Sequence, residues 1–167
     1  MCARLTDGQL IILAAGDESL YNDCAAPWSV VSKKAVYLGA TGAGAHMKLV
    51  VNMIMGSMMQ SLSEGLALAQ ASGLDAPALL QVLDAGAIAN PMFRMKGPAM
   101  AAGGPFPPAF PLKHQQKDIR LALLLGDSLG VSMPVAAAAN EAFKRAKGEG
   151  HGDEDFAAVH ASATKPK

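Results

Sequence analysis

The sequence has little cysteine and no clustered histidine. Cys2 and Cys24 stand alone among 167 residues. Neither has the spacing of a metal ligand, so we expect free thiols in a reducing compartment. The four histidines form no His-Glu-x-x-His motif or similar cluster: His46, His114, His151 and His160. The sequence therefore predicts no metal site.

A surplus of one charge is also missing. Lys and Arg total 14, and Asp and Glu total 14. This balance argues against nucleic acid or an anionic membrane surface as a partner. The apolar run over residues 49–59 is interrupted by Asn52 and is too short for a membrane span. The N-terminus lacks the pattern of a secretory signal. We expect an intracellular protein, with cytoplasm or organelle undecided.

The sequence does contain enough apolar residues, 51% of the total, for a globular core. Residues 9–15 and 34–38 are short apolar runs typical of buried strands. Between them, Asp17 can cap a helix that reaches about Val31. The helix is expected to turn three apolar side chains inward: Leu20, Trp28 and Val31. These 38 residues predict one parallel β-α-β unit, too small to be a whole sheet domain.

Beyond residue 44 the patterns predict helices alone, at 44–72, 75–85, 90–101, 113–129, 134–147 and 153–162. Asp75, Asn90 and Asp153 are the expected caps of three of them. The predicted fold is therefore mostly α. A β-α-β remnant of a Rossmann domain, residues 1–38, precedes an all-helical domain, residues 39–167, whose first helix is long.

The glycine-rich stretch at residues 39–44 runs into that long helix. Its spacing fits neither a dinucleotide fingerprint nor a Walker loop, so it predicts a helix entrance where backbone approaches something closely. Lys48 and Asn52 share one helix face by their i,i+4 spacing, and Gly56 is expected to leave open space beside them. Lys48 has two readings: a stem along the core with its ammonium in water, or a cleft lysine whose pKa is lowered by desolvation.

A second polar cluster, residues 113–118, begins a helix after a proline-rich loop with Phe106 and Phe110. It reads either as a solvated first turn or as part of a site. Lysines at a helix start oppose the macrodipole, so an anionic partner would help. The two aromatic rings are suited to line a pocket. We expect Lys117 to reach the same cleft as Lys48.

These stretches resemble the β-hydroxyacid dehydrogenase family, which includes 3-hydroxyisobutyrate dehydrogenases. The pattern Gly39-x-x-Gly42-x-Gly44-x-x-x-Lys48-x-x-x-Asn52 is similar to its catalytic signature, and Lys117-Asp118 to its Lys-Asp motif. The sequences of residues 90–93, 107–118 and 133–136 are similar to those of the glyoxylate/succinic semialdehyde reductase branch. The helical part is like the C-terminal domain of 6-phosphogluconate dehydrogenase.

The resemblance implies specific roles. Lys48 would be the general acid. Four residues would hold the substrate: Asn52, Phe110, Asp118 and Gly44. Lys117 would contact the cofactor, NADPH or NADH. The substrate would be a small oxo acid or semialdehyde, and the helical domain would form a homo-oligomer.

The sequence also departs from this family. The Gly-rich turn of the first Rossmann strand and the Ser-Gly-Gly substrate motif do not occur in it. We therefore expect either a truncated member or a natural remnant, with negligible reduction of glyoxylate or succinic semialdehyde by the 167 residues alone. The alternative is a non-catalytic helical association module, for which the Met-rich helix from Met47 is suited.

Overall fold

The computed structural model describes residues 7–163, so Cys2 lies outside the described residues. The chain divides into two compact units between Val51 and Asn52. This division falls within a helix, Ala43–Ala71. The domain boundary expected between residues 38 and 39 stays a prediction.

The first unit contains a two-stranded parallel sheet. Strand β1 (Leu10–Ala14) pairs with β2 (Ser32–Tyr37), and helices α1 (Glu18–Asp23) and α2 (Ala25–Val31) connect them. The Tyr37 hydroxyl donates to the Gly16 carbonyl oxygen at 2.7 Å, tying the end of β2 to the turn after β1. The predicted β-α-β unit is confirmed.

The connecting helix differs from the prediction in two ways. Asp17 caps its start by accepting from the Leu20 amide at 3.0 Å, as expected. The helix breaks at Cys24, however, and continues as α2. Leu20 is 61% exposed, so its predicted inward orientation is wrong. With two strands, the sheet offers this helix little apolar surface to cover.

The long helix α3 (Ala43–Ala71) crosses from the first unit into the second. The second unit continues with α4 (Ala76–Ala85), α5 (Pro91–Ala101), α6 (Leu112–Ser128) and α7 (Pro134–Gly148). Asp75 and Asn90 cap α4 and α5 as predicted. The mostly α fold with a long first helix is confirmed.

The chain end is organised differently from the prediction. Instead of one α-helix capped by Asp153, there are two 3₁₀ helices, His151–Asp153 and Phe156–Ser162. Asp155 caps the second by accepting from the Ala157 amide at 3.2 Å. The tight 3₁₀ turns suit a short segment whose side chains are almost all buried.

The core of the second unit lies between α3, α6, α7 and the second 3₁₀ helix. On α3 the buried residues recur every three or four positions, as expected for one apolar helix face: Gly56, Met59, Leu62, Ser63, Leu66 and Ala69. Phe106 is also buried in this core, which makes it a packing residue and not a pocket wall.

Candidate active site

Helices α3 and α6 approach closely at Gly56. A Cβ there would lie 2.4 Å from Nε2 of Gln115 and 2.6 Å from Cδ1 of Ile119. The space expected beside Asn52 is therefore filled, and that expectation is wrong. Gln115, fully buried, donates from Nε2 to the Asn52 carbonyl oxygen at 2.7 Å. The absent side chain of Gly56 sets the distance between the two helices.

This approach brings Asn52 to Asp118. Nδ2 of Asn52 donates to Oδ2 of Asp118 at 2.6 Å, although the residues are 66 positions apart. Asp118 is buried, with 1% of its side chain exposed. A buried carboxylate is stable only with hydrogen bonds or opposite charge around it. The amide of Asn52 supplies one such partner and is oriented by it.

The second oxygen of Asp118 faces a cation. Nζ of Lys117 lies 2.8 Å from Oδ1, and 47% of the Lys117 side chain is exposed. The Lys117 side chain is therefore only partly covered. The structure brings together three residues predicted for the site: Asn52, Lys117 and Asp118. We call these three the Asn52 cluster.

Phe110 occupies the turn before α6. Its ring is stacked near that of His114, with centroids 6.4 Å apart, and meets Phe156 edge-on at 6.0 Å. The ring is half-buried. Its predicted role in substrate binding stays a prediction.

Lys48 and Gly44 belong to the first unit. Lys48 is exposed and lies on α3, four residues before Asn52. A Cβ on Gly44 would lie 2.6 Å from the Leu13 carbonyl oxygen. This close approach of the helix start to β1 confirms the prediction for the glycine-rich stretch. The substrate role of Gly44, and a cleft shared by Lys48 and Lys117, stay predictions.

The charges near the start of α6 find partners within the chain. The Lys113 ammonium donates to the Asp153 carboxylate. This hydrogen bond and the lysine's charge lower the pKa of the Asp153 carboxyl. The unfavourable placement of a lysine near a helix start is therefore partly offset by a surface ion pair.

Sequence reasoning missed three polar residues of the second unit. The sequence pattern places Gln115 only within a polar helix start and favours Asp153 as the cap, whereas Gln115 bonds the Asn52 carbonyl and Asp155 is the cap. His160 is 1% exposed, with Nδ1 lying 3.2 Å from the Ser63 hydroxyl. Burial lowers the pKa of His160. Partners so distant in sequence leave no local pattern to detect.

Within residues 7–163 there is neither a cluster of metal-ligating side chains nor a membrane-spanning helix. No group of three or more potential metal-ligating side chains lies together among these residues. No helix within this range is long and apolar enough to cross a membrane.

Comparison with known proteins identifies the class. Residues 42–162 match the family described as "NAD-binding of NADP-dependent 3-hydroxyisobutyrate dehydrogenase". The chain belongs to this family, which confirms the resemblance seen in the sequence. The family binds a nicotinamide cofactor.

Individual relatives are similar to this chain over most of its length. Glyoxylate/succinic semialdehyde reductase 1 of Arabidopsis thaliana is 63% identical over 153 residues, covering 92% of this chain and 53% of that protein. The cytokine-like nuclear factor N-PAC of Gallus gallus is 46% identical over 154 residues, covering 92% of this chain and 28% of that protein. The chain thus spans about half the length of the reductase, and less of N-PAC.

A solved structure shows the same fold. The 3-hydroxyisobutyrate dehydrogenase of Salmonella typhimurium superposes with a TM-score of 0.86 at 23% identity, over 96% of this chain and 56% of that one. At this identity the likeness concerns the fold alone.

Proposed function

We propose that this chain forms the substrate-side part of an oxidoreductase that reduces a small oxo acid or semialdehyde, such as glyoxylate or succinic semialdehyde. The observation that carries the proposal is the 2.6 Å contact between Asn52 and Asp118. It joins the two motifs of the resemblance in one polar cluster with a solvent-accessible ammonium. The high identity to a reductase of these two aldehydes supports the substrate class.

Lys48 is proposed as the general acid. A nicotinamide cofactor would supply the hydride, and the Lys48 ammonium would donate a proton to the oxygen of the reduced carbonyl. A positioned acid contributes roughly 10²–10⁴ in rate. Asn52, Phe110 and Gly44 would hold the substrate.

Asp118 is proposed to orient other site residues and not to bind the substrate directly. Oδ2 accepts from Asn52 and Oδ1 faces Lys117, and the carboxylate is buried. A substrate that carries its own carboxylate would be repelled by it at close range. Asp118 therefore serves the substrate by orienting Asn52 and Lys117.

The described residues fit one end of the cofactor. The Lys117 side chain is 47% exposed, and its Nζ lies 2.8 Å from Oδ1 of Asp118, an arrangement that we propose for contact with a polar or anionic group of the cofactor. Between the two cofactors, we propose NADPH, on the basis of the likeness to the reductases.

The test is oxidation of NADPH and NADH by the purified chain with glyoxylate or succinic semialdehyde. A hybrid supplies the comparison: residues 42–162 replace the matching segment of the Arabidopsis reductase. We expect the hybrid to turn over both aldehydes. A folded hybrid that binds NADPH but reduces neither aldehyde would contradict the proposal.

A second candidate is a helical association module whose partner is another copy of the chain. Several apolar side chains of α3 are exposed: Met47, Val50, Val51, Ile54 and Met58. Exposed apolar clusters commonly mark protein contacts. The relative N-PAC, moreover, is named a nuclear factor and not a reductase.

Sedimentation of the chain tests this candidate. The reductase reading also predicts a homo-oligomer, so the oligomer must be combined with the activity test. A homo-oligomer that Ile54→Glu dissociates, while the same change at exposed Leu124 of α6 does not, would favour this candidate if the folded hybrid also reduces neither aldehyde. A monomer at all concentrations would contradict it.

A further inference from the structure

Asp155 is a buried carboxylate outside the Asn52 cluster. It is 2% exposed and begins the second 3₁₀ helix, where Oδ1 accepts from the Ala157 amide at 3.2 Å. A cap needs one oxygen only. The cap does not use the other oxygen, Oδ2.

That oxygen, Oδ2, has three donors. Nζ of Lys96 on α5 lies at 2.8 Å, the amide of Ala109 at 3.1 Å and the amide of Phe110 at 3.2 Å. Lys96 is itself largely buried, with 14% of its side chain exposed. A charge-assisted network this well satisfied holds its members rigidly.

The main chain of Phe110 is held from both sides. Its amide donates to Asp155, and its carbonyl oxygen accepts from the Phe156 amide at 2.9 Å. The Phe156 ring then meets the Phe110 ring edge-on, and Nζ of Lys96 lies 5.5 Å from the Phe156 centroid. Ring and backbone of Phe110 are thus both fixed by residues attached to Asp155.

We infer that Asp155, neutralised by Lys96, is the positioning residue for Phe110 and so for the substrate end of the site. This inference rests on the proposed function, in which Phe110 contacts the substrate. Asp155 itself is buried and acts through Phe110. Holding a contact side chain in place is valuable because misplacement by about 1 Å can cost about 10²-fold in rate.

Asp155→Asn is the sharpest change. An asparagine keeps one oxygen and replaces the other by an amino group. Whichever way the amide turns, that group faces a donor, either the Ala157 amide or the Lys96 and Phe110 side. The matched control is Asp153→Asn, two residues away, because the Asp153 side chain is 87% exposed.

The first measurement is amide hydrogen exchange in the full chain. We expect the Ala109 and Phe110 amides to exchange about tenfold to a hundredfold faster in Asp155→Asn, and at the wild-type rate in Asp153→Asn. Lys96→Met provides a second variant if Asp155→Asn does not fold. We expect the same faster exchange of the Ala109 and Phe110 amides in it. Wild-type exchange in a folded Asp155→Asn or Lys96→Met protein would overturn the inference.

The second measurement separates positioning from general stability. In whichever form turns over, the chain or the hybrid, we expect Asp155→Asn to raise KM for the aldehyde about tenfold and leave KM for NADPH unchanged. Lys96→Met, which removes the charge beside Asp155, should also raise KM for the aldehyde. Lys96→Arg keeps that charge and should leave KM for the aldehyde near the wild-type value. Equal changes in both KM values would overturn the role at the substrate end. If no wild-type form turns over, the proposed function fails, and exchange alone decides the holding of Phe110.

Discussion

Asn52 and Asp118 share a hydrogen bond of 2.6 Å between Nδ2 and Oδ2. The bond joins α3 to α6, and its acceptor is a buried carboxyl group whose other oxygen lies 2.8 Å from Nζ of Lys117. It fixes the amide plane of Asn52 and thereby decides which of its atoms a ligand can meet.

The first prediction concerns this bond. Asp118→Ala leaves the Asn52 amide without its acceptor, whereas the exposed Lys117 keeps its hydration. We expect the free energy of unfolding to fall by about 2 kcal/mol, the scale of a hydrogen bond to a charged group. Urea denaturation measures it. Asp127→Ala, on the exposed face of the same helix, should change the value by less than about 0.5 kcal/mol. Equal effects would contradict the prediction.

The second prediction compares two glycines of α3. Gly56→Ala forces the Gln115 amide and Ile119 to move, which breaks the bond to the Asn52 carbonyl, and we expect a loss of about 1–3 kcal/mol. A Cβ on Gly65 meets nothing within 4 Å. Gly65→Ala should therefore stabilise the chain by about 0.5–1 kcal/mol through helix propensity. Thermal unfolding should show a lower melting temperature for Gly56→Ala and a higher one for Gly65→Ala.

How much of this the sequence could predict depends on the range of the interaction. Asp17, Asp75 and Asn90 cap helices as predicted, because a cap bonds an amide only three residues away. The family likeness was equally visible, since its motifs are contiguous.

Asp153 and Asp155 show the limit. Both precede the apolar stretch that begins at Phe156, but Asp153 ends the first 3₁₀ helix and Asp155 caps the second. Asp155 takes the cap because Lys96, 59 positions earlier, and the Phe110 loop surround it. Gly56 was misjudged for the same reason, because Gln115 and Ile119 come from a distant helix. Residues distant in the sequence determine both the cap at Asp155 and the close approach at Gly56, and a local sequence pattern does not reveal such partners.

The third prediction is a pH dependence from His160. The unfolded chain protonates His160 near its ordinary pKa of 6.5, while burial lowers the pKa in the folded chain. Below about pH 6.5 the unfolded state therefore holds more protons, and the free energy of unfolding falls as pH falls. The slope is at most about 1.4 kcal/mol per pH unit.

Urea denaturation from neutral pH down to about pH 5 measures this slope. His160→Gln, which keeps a polar side chain near Ser63 but cannot titrate, should flatten the curve over that range. A variant curve parallel to that of the wild type would assign the dependence to other groups.

The last prediction tests Lys48 in the hybrid that turns over. Lys48→Ala removes the proposed proton donor, so kcat should fall by about 10²–10⁴ while KM for NADPH changes less than about twofold. The control Lys147→Ala removes an exposed lysine of α7 within the transferred segment and should leave kcat unchanged. Lys48→Arg separates two roles, because a guanidinium keeps the positive charge but does not release its proton. If Lys48 acts as the acid, arginine should fail nearly as fully as alanine. Recovery with arginine would make electrostatic stabilisation of the developing alkoxide the role of Lys48, and unchanged kcat in Lys48→Ala would remove the residue from the mechanism.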